Sequence, residues 1–373
     1  MENGEKQTKS CTKKPYNASR LLSEMKVLHT DKTMSAIHQR LKQNPEKKIL
    51  SLWKEGAPSR KEIISYVEAV TDKNSKYYIP PKDRIAVSDM DGTLFCETDP
   101  TYFDFKLLMY RVLEDEVYRE LATEEERTVV KKIQDFINTG ESAEGLEYDA
   151  GQAIASTFSG MTVTEFGQYV RQFGELPAPG YDGMKAGEAF YRPMVQILSY
   201  LRKNGFSVYV CSGTDRMVVR EIVSGVNITP NRVIGTDERL VARDQGDTKD
   251  AEYYFDDHDE LVLGGEMLNK NLQMSKVSMI AKEIGYQPVL CFGNSSGDIS
   301  MARYVTVNNP YKTRVFMLCC DDTERENGNP GKAEKMKAMC EENGWVPVSM
   351  KNDWETIYGP GVTKKESPQE NTK

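Results

Sequence analysis

The sequence predicts an α/β protein with a doubly wound, Rossmann-like parallel sheet, an inserted all-helical domain and an N-terminal helical extension. Two observations favour the sheet. Short β-branched runs alternate with helical segments, and these runs are apolar almost throughout, which is typical of parallel strands buried on both faces. A third observation, a series of helical patterns between the first two strand patterns, indicates the insertion.

The first 83 residues form the predicted extension. Residues 1–20 are rich in Lys, Ser, Thr and Asn, and we expect a mobile tail there. From Met34 to Val70 apolar residues recur at helical spacing, and Pro45 and the Gly56–Pro58 stretch divide them into short helices. We expect these helices to pack on the core.

The predicted core comprises residues 84–98 and 190–360, with a helical domain inserted at 99–189 and a C-terminal tail at 361–373. A small hairpin insertion is expected at about 237–268. The predicted helices are Phe105–Leu121, Glu124–Ile137, Thr164–Phe173, Pro193–Lys203 and Ser275–Ile284. The predicted strands are Arg84–Ser88, Phe206–Cys211, Arg232–Gly235, Val289–Phe292 and Arg314–Cys320, with Tyr253–Leu263 as a hairpin arm.

Charge and composition exclude several classes of protein. With 49 Lys and Arg against 57 Asp and Glu, the net charge of −8 argues against nucleic acid as the main partner. Seven scattered cysteines without a CxxC pair argue against a disulfide framework or a zinc ribbon. No apolar stretch is long enough to span a membrane, and no signal peptide is visible. The expected location is cytoplasmic, although an export signal removed from the chain would leave the same sequence.

The acidic pair Asp89 and Asp91 directly follows the first predicted strand. Open α/β sheets bind ligands beyond the carboxyl ends of their strands, so both carboxylates are expected to face one spot there. One carboxylate can attack a phosphorus centre and the other can carry a proton to and from the reacting oxygens. The pair also offers hard oxygen ligands for Mg²⁺. A surface turn is the alternative interpretation of this motif.

Three further signals follow in chain order. Ser212 and Gly213 end the second strand and can bind phosphate oxygens. Lys276, near the start of a helix, can reach back over the sheet end and neutralise charge, with Lys270 as a competitor. The loop Gly293–Asp298 can add oxygen ligands for a metal. Each signal by itself is of limited specificity.

Together, the motifs DMDGT, VYVCSG, Lys276 and FGNSSGD resemble the haloacid dehalogenase superfamily, in the order and spacing of its phosphoserine-phosphatase-like branch. The resemblance covers roughly Arg84 to Cys320 and makes the helical insertion a cap. It implies that Asp89 is the nucleophile, which forms an aspartyl-phosphate, and that Asp91 is the general acid and base. Ser212, Gly213 and Lys276 would then bind the phosphate. Mg²⁺ would be held by the Asp89 carboxylate, the Asp91 backbone carbonyl and the fourth motif.

Two departures from the superfamily pattern bear on the site. The fourth motif usually reads Gly-Asp-x-x-x-Asp, whereas this chain has Asn294 in place of the first acid, which removes one negative charge. Whether Asn294 or Asp298 contacts the metal stays open at this point. The second departure is the Thr214–Arg216 segment after Ser-Gly.

The resemblance also suggests a substrate class. Glu97 lies near the place where phosphoserine phosphatases carry a carboxylate that meets the substrate ammonium. We therefore expect Mg²⁺-dependent hydrolysis of a small phosphate monoester, with a cationic head group such as phosphoserine, phosphocholine or phosphoethanolamine as the finer hypothesis. A hinge glutamate in water is the alternative for Glu97. For the whole chain the alternatives are a phosphomutase of the same superfamily and a catalytically weak ligand-binding relative.

Overall fold

The computed structural model describes residues 49–366, so the predicted tail at 1–20, most of the extension and the last seven residues lie outside the described residues. The strands in chain order are β1 (Ile85–Ser88), β2 (Tyr181–Asp182), β3 (Ser207–Asp215), β4 (Val233–Ala242), β5 (Leu261–Asn269), β6 (Leu290–Gly293), β7 (Arg314–Cys319), β8 (Val346–Ser349) and β9 (Thr363–Lys364). Seven of these described strands form the main sheet, in the order β5-β4-β3-β1-β6-β7-β8, while β2 pairs with β9. All pairs of the main sheet are parallel except β4 with β5.

The α-helices surround this sheet. They are α1 (Pro58–Thr71), α2 (Phe103–Leu113), α3 (Glu124–Thr139), α4 (Leu146–Thr157), α5 (Val163–Gly174), α6 (Arg192–Lys203), α7 (Arg216–Val223), α8 (Met274–Ile284), α9 (Ile299–Thr306), α10 (Pro330–Asn343) and α11 (Met350–Asp353). The predicted α/β fold with a mostly parallel, doubly wound sheet is therefore confirmed. No helix in the described residues is long and apolar enough to cross a membrane.

The central strand β1 explains why the apolar runs in the sequence are continuous. Its four residues are all buried, and Ala86 and Val87 belong to apolar clusters on opposite faces of the sheet. The strand pairs with β3 through Ser88 and Val210 and with β6 through Ser88 and Phe292. Because these three strands are parallel, their carboxyl ends meet at one edge, and the segments that follow them lie together there.

Helices α2 to α5 all lie between β1 and β3 in the sequence and pack partly on strand β5. Gly160 N donates to Leu263 O at 2.8 Å, and Leu263 N donates to Met161 O at 2.9 Å. The amide side chain of Gln152, on α4, adds two hydrogen bonds to the β5 backbone. The outer edge of β5 is thus covered by main-chain and side-chain partners rather than left open.

The described part of the extension packs on the core. Trp53 packs edge-to-face against Trp354 with 5.9 Å between ring centroids. On α1, the Tyr66 hydroxyl donates to Val289 O at 2.9 Å. These contacts join the residues before β1 to both the sheet and the C-terminal part of the chain.

Three predicted elements were wrong in their bounds. The strand predicted at Arg232–Gly235 is β4, which continues to Ala242. The hairpin arm predicted at Tyr253–Leu263 is strand β5, which begins only at Leu261; the aromatic residues before it form an irregular segment in which Tyr254 is 90% exposed. The helix predicted to reach Leu121 ends at Leu113. It stops because the Asp115 side chain accepts hydrogen bonds from the next backbone N–H groups, which gives them an alternative to helical pairing.

Candidate active site

The two carboxylates Asp89 and Asp91 lie beyond the end of β1, both less than a tenth exposed. Asp89 N donates to Phe292 O at 2.9 Å, which extends the pairing of β1 with β6 by one residue. The chain then turns at Gly92, whose φ of +71° is unfavourable for other residues. A Cβ atom at this position would also lie 2.0 Å from Asn294 Nδ2, so the turn requires glycine.

Lys276 is the lysine that contacts Asp89. Its side chain is 2% exposed, and its ammonium group lies 2.6 Å from Asp89 Oδ1 and 2.7 Å from Asp298 Oδ1. The competitor Lys270 also lines the cavity, but its Nζ donates to the backbone oxygen of Gly213 at 2.9 Å. The structure therefore brings Lys276, from the first turn of α8, to the first carboxylate.

Asp298 has both carboxylate oxygens engaged within the protein. Besides the contact of Oδ1 with Lys276, Oδ2 accepts from the backbone N–H groups of Asn294 and Ser295 at 3.0 and 3.1 Å. The side chain is completely buried. Asp298 thus holds both the lysine and the loop after β6.

Asp91 is contacted by two hydroxyls from the end of β3. Thr214 Oγ1 donates to Asp91 Oδ2 at 2.8 Å, and Ser212 Oγ lies 3.4 Å from the same oxygen. The Thr214 N–H in turn donates to Ser212 Oγ at 3.1 Å. Asp91 Oδ1 is buried without a hydrogen-bond partner among the described residues.

Asn294 lies between Thr93 and Glu97, on the other side of the turn. Thr93 Oγ1 donates to Asn294 Oδ1 at 3.1 Å, and Asn294 Nδ2 donates to Glu97 Oε1 at 3.0 Å. Glu97 is half-buried and lines the same cavity as Asp89 and Asp91. The predicted head-group residue is therefore hydrogen-bonded to the predicted metal ligand.

The inserted helices supply the opposite wall of the cavity. Tyr102 directly precedes α2, Asp104 and Phe105 lie in the first turn of α2, and Glu147 lies on α4. The rings of Tyr102 and Phe105 pack edge-to-face, with centroids 5.1 Å apart. Asp104 and Glu147 did not stand out in the sequence, since nothing before folding places them near Asp89.

Electrostatically, the site contains more buried negative than positive charge. Burial, together with the Asp298 carboxylate, raises the pKa of Asp89 to about 7, although Lys276 opposes the shift. Burial and the carboxylates of Asp104 and Asp89 raise the pKa of Asp91 well above its usual value. Burial alone would lower the pKa of Lys276, but Asp298 and Asp89 outweigh it and hold the pKa well above the ordinary value. A bound cation would relieve this excess of carboxylates.

The residues present fit a magnesium ion. Carboxylate, amide and backbone oxygens are the ligands that Mg²⁺ takes, and the unpartnered Asp91 Oδ1 shows that the polar groups here are incompletely satisfied by the protein. Within residues 49–366, no three Asp, Glu, His or Cys side chains converge in a way that would hold a metal by themselves. A site here would therefore draw on the Asn294 amide or on backbone oxygens as well as on carboxylates.

The family model for haloacid dehalogenase-like hydrolases matches residues 86–303, more than half of the chain. The protein belongs to this family of hydrolases, as the four motifs predicted. A search of the curated proteins gave no match.

Three of the solved structures that this chain resembles are the following. A functionally unknown protein from Anaerococcus prevotii is 14% identical, with 78% of this chain and 91% of that chain covered and a TM-score of 0.47. Cytosolic 5′-nucleotidase IIIB bound to cytidine is 13% identical, with coverage of 80% and 87% and a TM-score of 0.45. A substrate-bound phosphoserine phosphatase is 16% identical, with coverage of 64% and 86% and a TM-score of 0.31. At these identities the similarity concerns the fold alone.

Proposed function

We propose that the protein is a Mg²⁺-dependent phosphatase that hydrolyses a small phosphate monoester through an aspartyl-phosphate. One observation carries the proposal: Asp89, held by Lys276 at 2.6 Å, and Asp91, held by Thr214 at 2.8 Å, line one cavity together with Gly213. A nucleophile, a proton carrier and groups for binding phosphate are thus present at the carboxyl ends of adjacent strands. This is the set of groups that phosphoryl transfer to a carboxylate requires.

The chemistry proceeds in two steps. A carboxylate oxygen of Asp89 attacks phosphorus while Asp91 gives its proton to the leaving oxygen, so that the alcohol departs and an acyl phosphate forms. Asp91, now ionised, takes a proton from water, and the water oxygen attacks phosphorus and releases phosphate and free Asp89. Lys276 offsets the negative charge of the nucleophile and the phosphoryl oxygens, and Asp298 holds Lys276 in place.

Magnesium would be held by the Asp89 carboxylate, the Asp91 backbone carbonyl and the fourth motif. Asn294 is the better candidate of that motif, because both oxygens of Asp298 already bind Lys276 and backbone N–H groups. When bound, the ion neutralises charge on the phosphoryl oxygens and orients them toward the nucleophile. In our proposal Asp298 is a positioning residue.

The opposite wall of the cavity favours a cationic head group. Asp104 and Glu147 line the cavity on the insertion side, beside the rings of Tyr102 and Phe105. Carboxylates and aromatic faces both attract an ammonium group. A head group such as that of phosphoserine, phosphocholine or phosphoethanolamine would fit this wall, and its recognition would not depend on Glu97 alone.

The test is release of inorganic phosphate from a panel of monoesters with Mg²⁺, comparing the wild type with Asp89→Asn. The panel contains the three cationic esters and glycerol phosphate, which has a neutral head group. We expect turnover by the wild type without any bisphosphate activator, a loss of at least about 10³-fold in kcat for Asp89→Asn, and higher kcat/KM for cationic esters. Asp257→Asn, in the exposed segment before β5, is the charge-matched control and should retain full activity.

Turnover that survives Asp89→Asn would refute the aspartyl-phosphate. Turnover that requires a bisphosphate and gives no free phosphate would indicate a phosphomutase instead. Circular dichroism of the Asn variant would separate lost chemistry from a lost fold.

A further inference from the structure

The hydrogen bond between Asn294 and Glu97 fixes which way the Asn294 amide faces. Asn294 Nδ2 donates to Glu97 Oε1 at 3.0 Å, so the Glu97 side chain has the amide nitrogen of Asn294 as its partner. The oxygen Oδ1 is then turned away from Glu97, to the side where Thr93 Oγ1 donates to it at 3.1 Å. Only this oxygen of the amide can bind a hard cation. Glu97 therefore fixes the amide with its nitrogen toward Glu97 and leaves the oxygen as the atom that could bind a metal.

The pair also lies directly against the turn that carries the acidic residues. A Cβ atom built on Gly92 would be 2.0 Å from Asn294 Nδ2 and 2.6 Å from the Glu97 carboxyl carbon. The backbone just before Glu97 is fixed, because Gly92 N donates to Phe95 O and Cys96 N donates to Ala189 O. Glu97 is thus held next to Asp91 and Asn294 by a hydrogen-bonded turn.

The charges around this turn leave room for a cation. Asp89 and Asp298 share Lys276, whereas within residues 49–366 the side-chain partners of Asp91 are hydroxyls and that of Glu97 is a neutral amide. Where the superfamily pattern has an acid, residue 294 is neutral. The nearest substitute for that missing charge is the Glu97 carboxylate, which lies one hydrogen bond beyond the amide.

We infer that Glu97 is a positioning residue of the magnesium site: it orients the Asn294 amide and restores the negative charge that asparagine lacks. The inference rests on the proposed function for its metal. It gives Glu97 a role other than selection of the substrate head group. Residues that hold a metal ligand from outside the coordination sphere typically contribute 10- to 100-fold to metal affinity.

The experiment is calorimetric titration of Mg²⁺ into the folded protein without substrate. We expect Glu97→Gln to weaken Mg²⁺ binding about tenfold or more. Glu147→Gln removes the same charge from the same cavity without touching Asn294, and it should leave the dissociation constant within about twofold of the wild type. Thermal unfolding of the metal-free variants checks that each is folded.

A second variant, Asn294→Asp, should change the effect that Glu97→Gln has on Mg²⁺ binding. Asn294→Asp should tighten Mg²⁺ binding, and in that background Glu97 would face another carboxylate instead of an amide. Glu97→Gln should then cost less than twofold or improve binding, whereas in the Asn294 protein it weakens binding. This reversal is expected of charge compensation and not of a general structural role.

Three results would overturn the inference. Folded wild-type protein that binds no Mg²⁺, equal losses from Glu97→Gln in both backgrounds, or unchanged Mg²⁺ affinity in Glu97→Gln would each do so. Unchanged Mg²⁺ affinity together with a lost preference for cationic esters would instead indicate that Glu97 recognises the substrate head group. Because the titration needs no turnover, failure of the proposed phosphatase activity would be seen separately, in the ester panel.

Discussion

Thr214 is predicted to position Asp91, and Thr214→Val tests this directly. The substitution nearly conserves shape but removes the hydroxyl that donates to Asp91 Oδ2 at 2.8 Å. Ser212 Oγ, 3.4 Å from the same oxygen, is then the remaining side-chain partner that the structure gives this carboxylate. Because Thr214 occupies Oδ2, the proton of the acid form is directed to Oδ1, which has no partner among the described residues. Without the Thr214 hydroxyl, neither the position of the acid proton nor the orientation of the Asp91 side chain is fixed in this way.

The size of the effect follows from the kind of hydrogen bond that is lost. A hydrogen bond to a charged group contributes about 1.5–3 kcal/mol. At 1.36 kcal/mol per tenfold change in rate, the corresponding loss is about 10- to 150-fold in kcat/KM. The loss applies to esters whose alkoxide needs a proton in order to leave.

The assay compares phosphoethanolamine with p-nitrophenyl phosphate, whose leaving group departs without a proton. Since kcat/KM reports on the first irreversible step, we expect Thr214→Val to lower it about 10- to 150-fold for the alkyl ester and less than about threefold for the aryl ester. Thr214→Ser keeps the hydroxyl and should restore most of the difference. Equal losses on both esters, or no rescue by serine, would refute the positioning role.

Two further predictions concern buried charge. Lys276→Met leaves Asp89 and Asp298 buried without their cation, so it should lower the free energy of unfolding by about 3–5 kcal/mol in urea titrations. The control Lys270→Met should lower it by less than about 1 kcal/mol. Equal losses in the two variants would contradict this account. Burial raises the pKa of Glu238, whose two oxygens have no hydrogen-bond partner among the described residues, to about 10. At Glu238 the folded protein therefore binds more protons than the unfolded chain between pH 4.5 and 10, so the contribution of this group to stability should fall as pH rises through that range. Urea titrations at pH 6 and 9 should show a smaller fall in Glu238→Gln than in the wild type, and an identical fall would count against an uncharged Glu238.

The core of the candidate site could be predicted because it depends on local sequence and on one rule of sheet geometry. Asp89, Ser212 and Asn294 each follow an apolar run, and parallel strands bring the ends of such runs to one edge. Thr214 was noted only as a departure from the superfamily pattern. Its signal was present, because residues two apart on a strand face the same side, so Thr214 accompanies Ser212.

Other parts of the site could not be predicted from the sequence. Asn294 and Asp298 are four residues apart in one loop, and spacing could not separate a metal ligand from a residue that holds Lys276. The contacts of Asp298 show that it holds Lys276, and Asn294 as metal ligand stays a proposal. Asp104 and Glu147 reach the cavity only through the packing of the inserted helices, which no local pattern specifies. The boundaries proposed for that insertion, 99–189, stay a prediction.

The distribution of charge around the cavity also restricts the substrate. Of the described residues that line it, Lys276 and Lys270 are the cationic ones, and the first is already shared by two carboxylates while the second is tied to Gly213 O. We therefore expect a phosphate dianion bound beside Asp89 to require a divalent cation for neutralisation. An ester with a second phosphate or another anionic head group would face Asp104 and Glu147, where Lys270 is a single cation against two carboxylates. A bisphosphate activator, which phosphomutase chemistry requires, would meet the same carboxylates, so we expect neutral or cationic monoesters to be hydrolysed in preference.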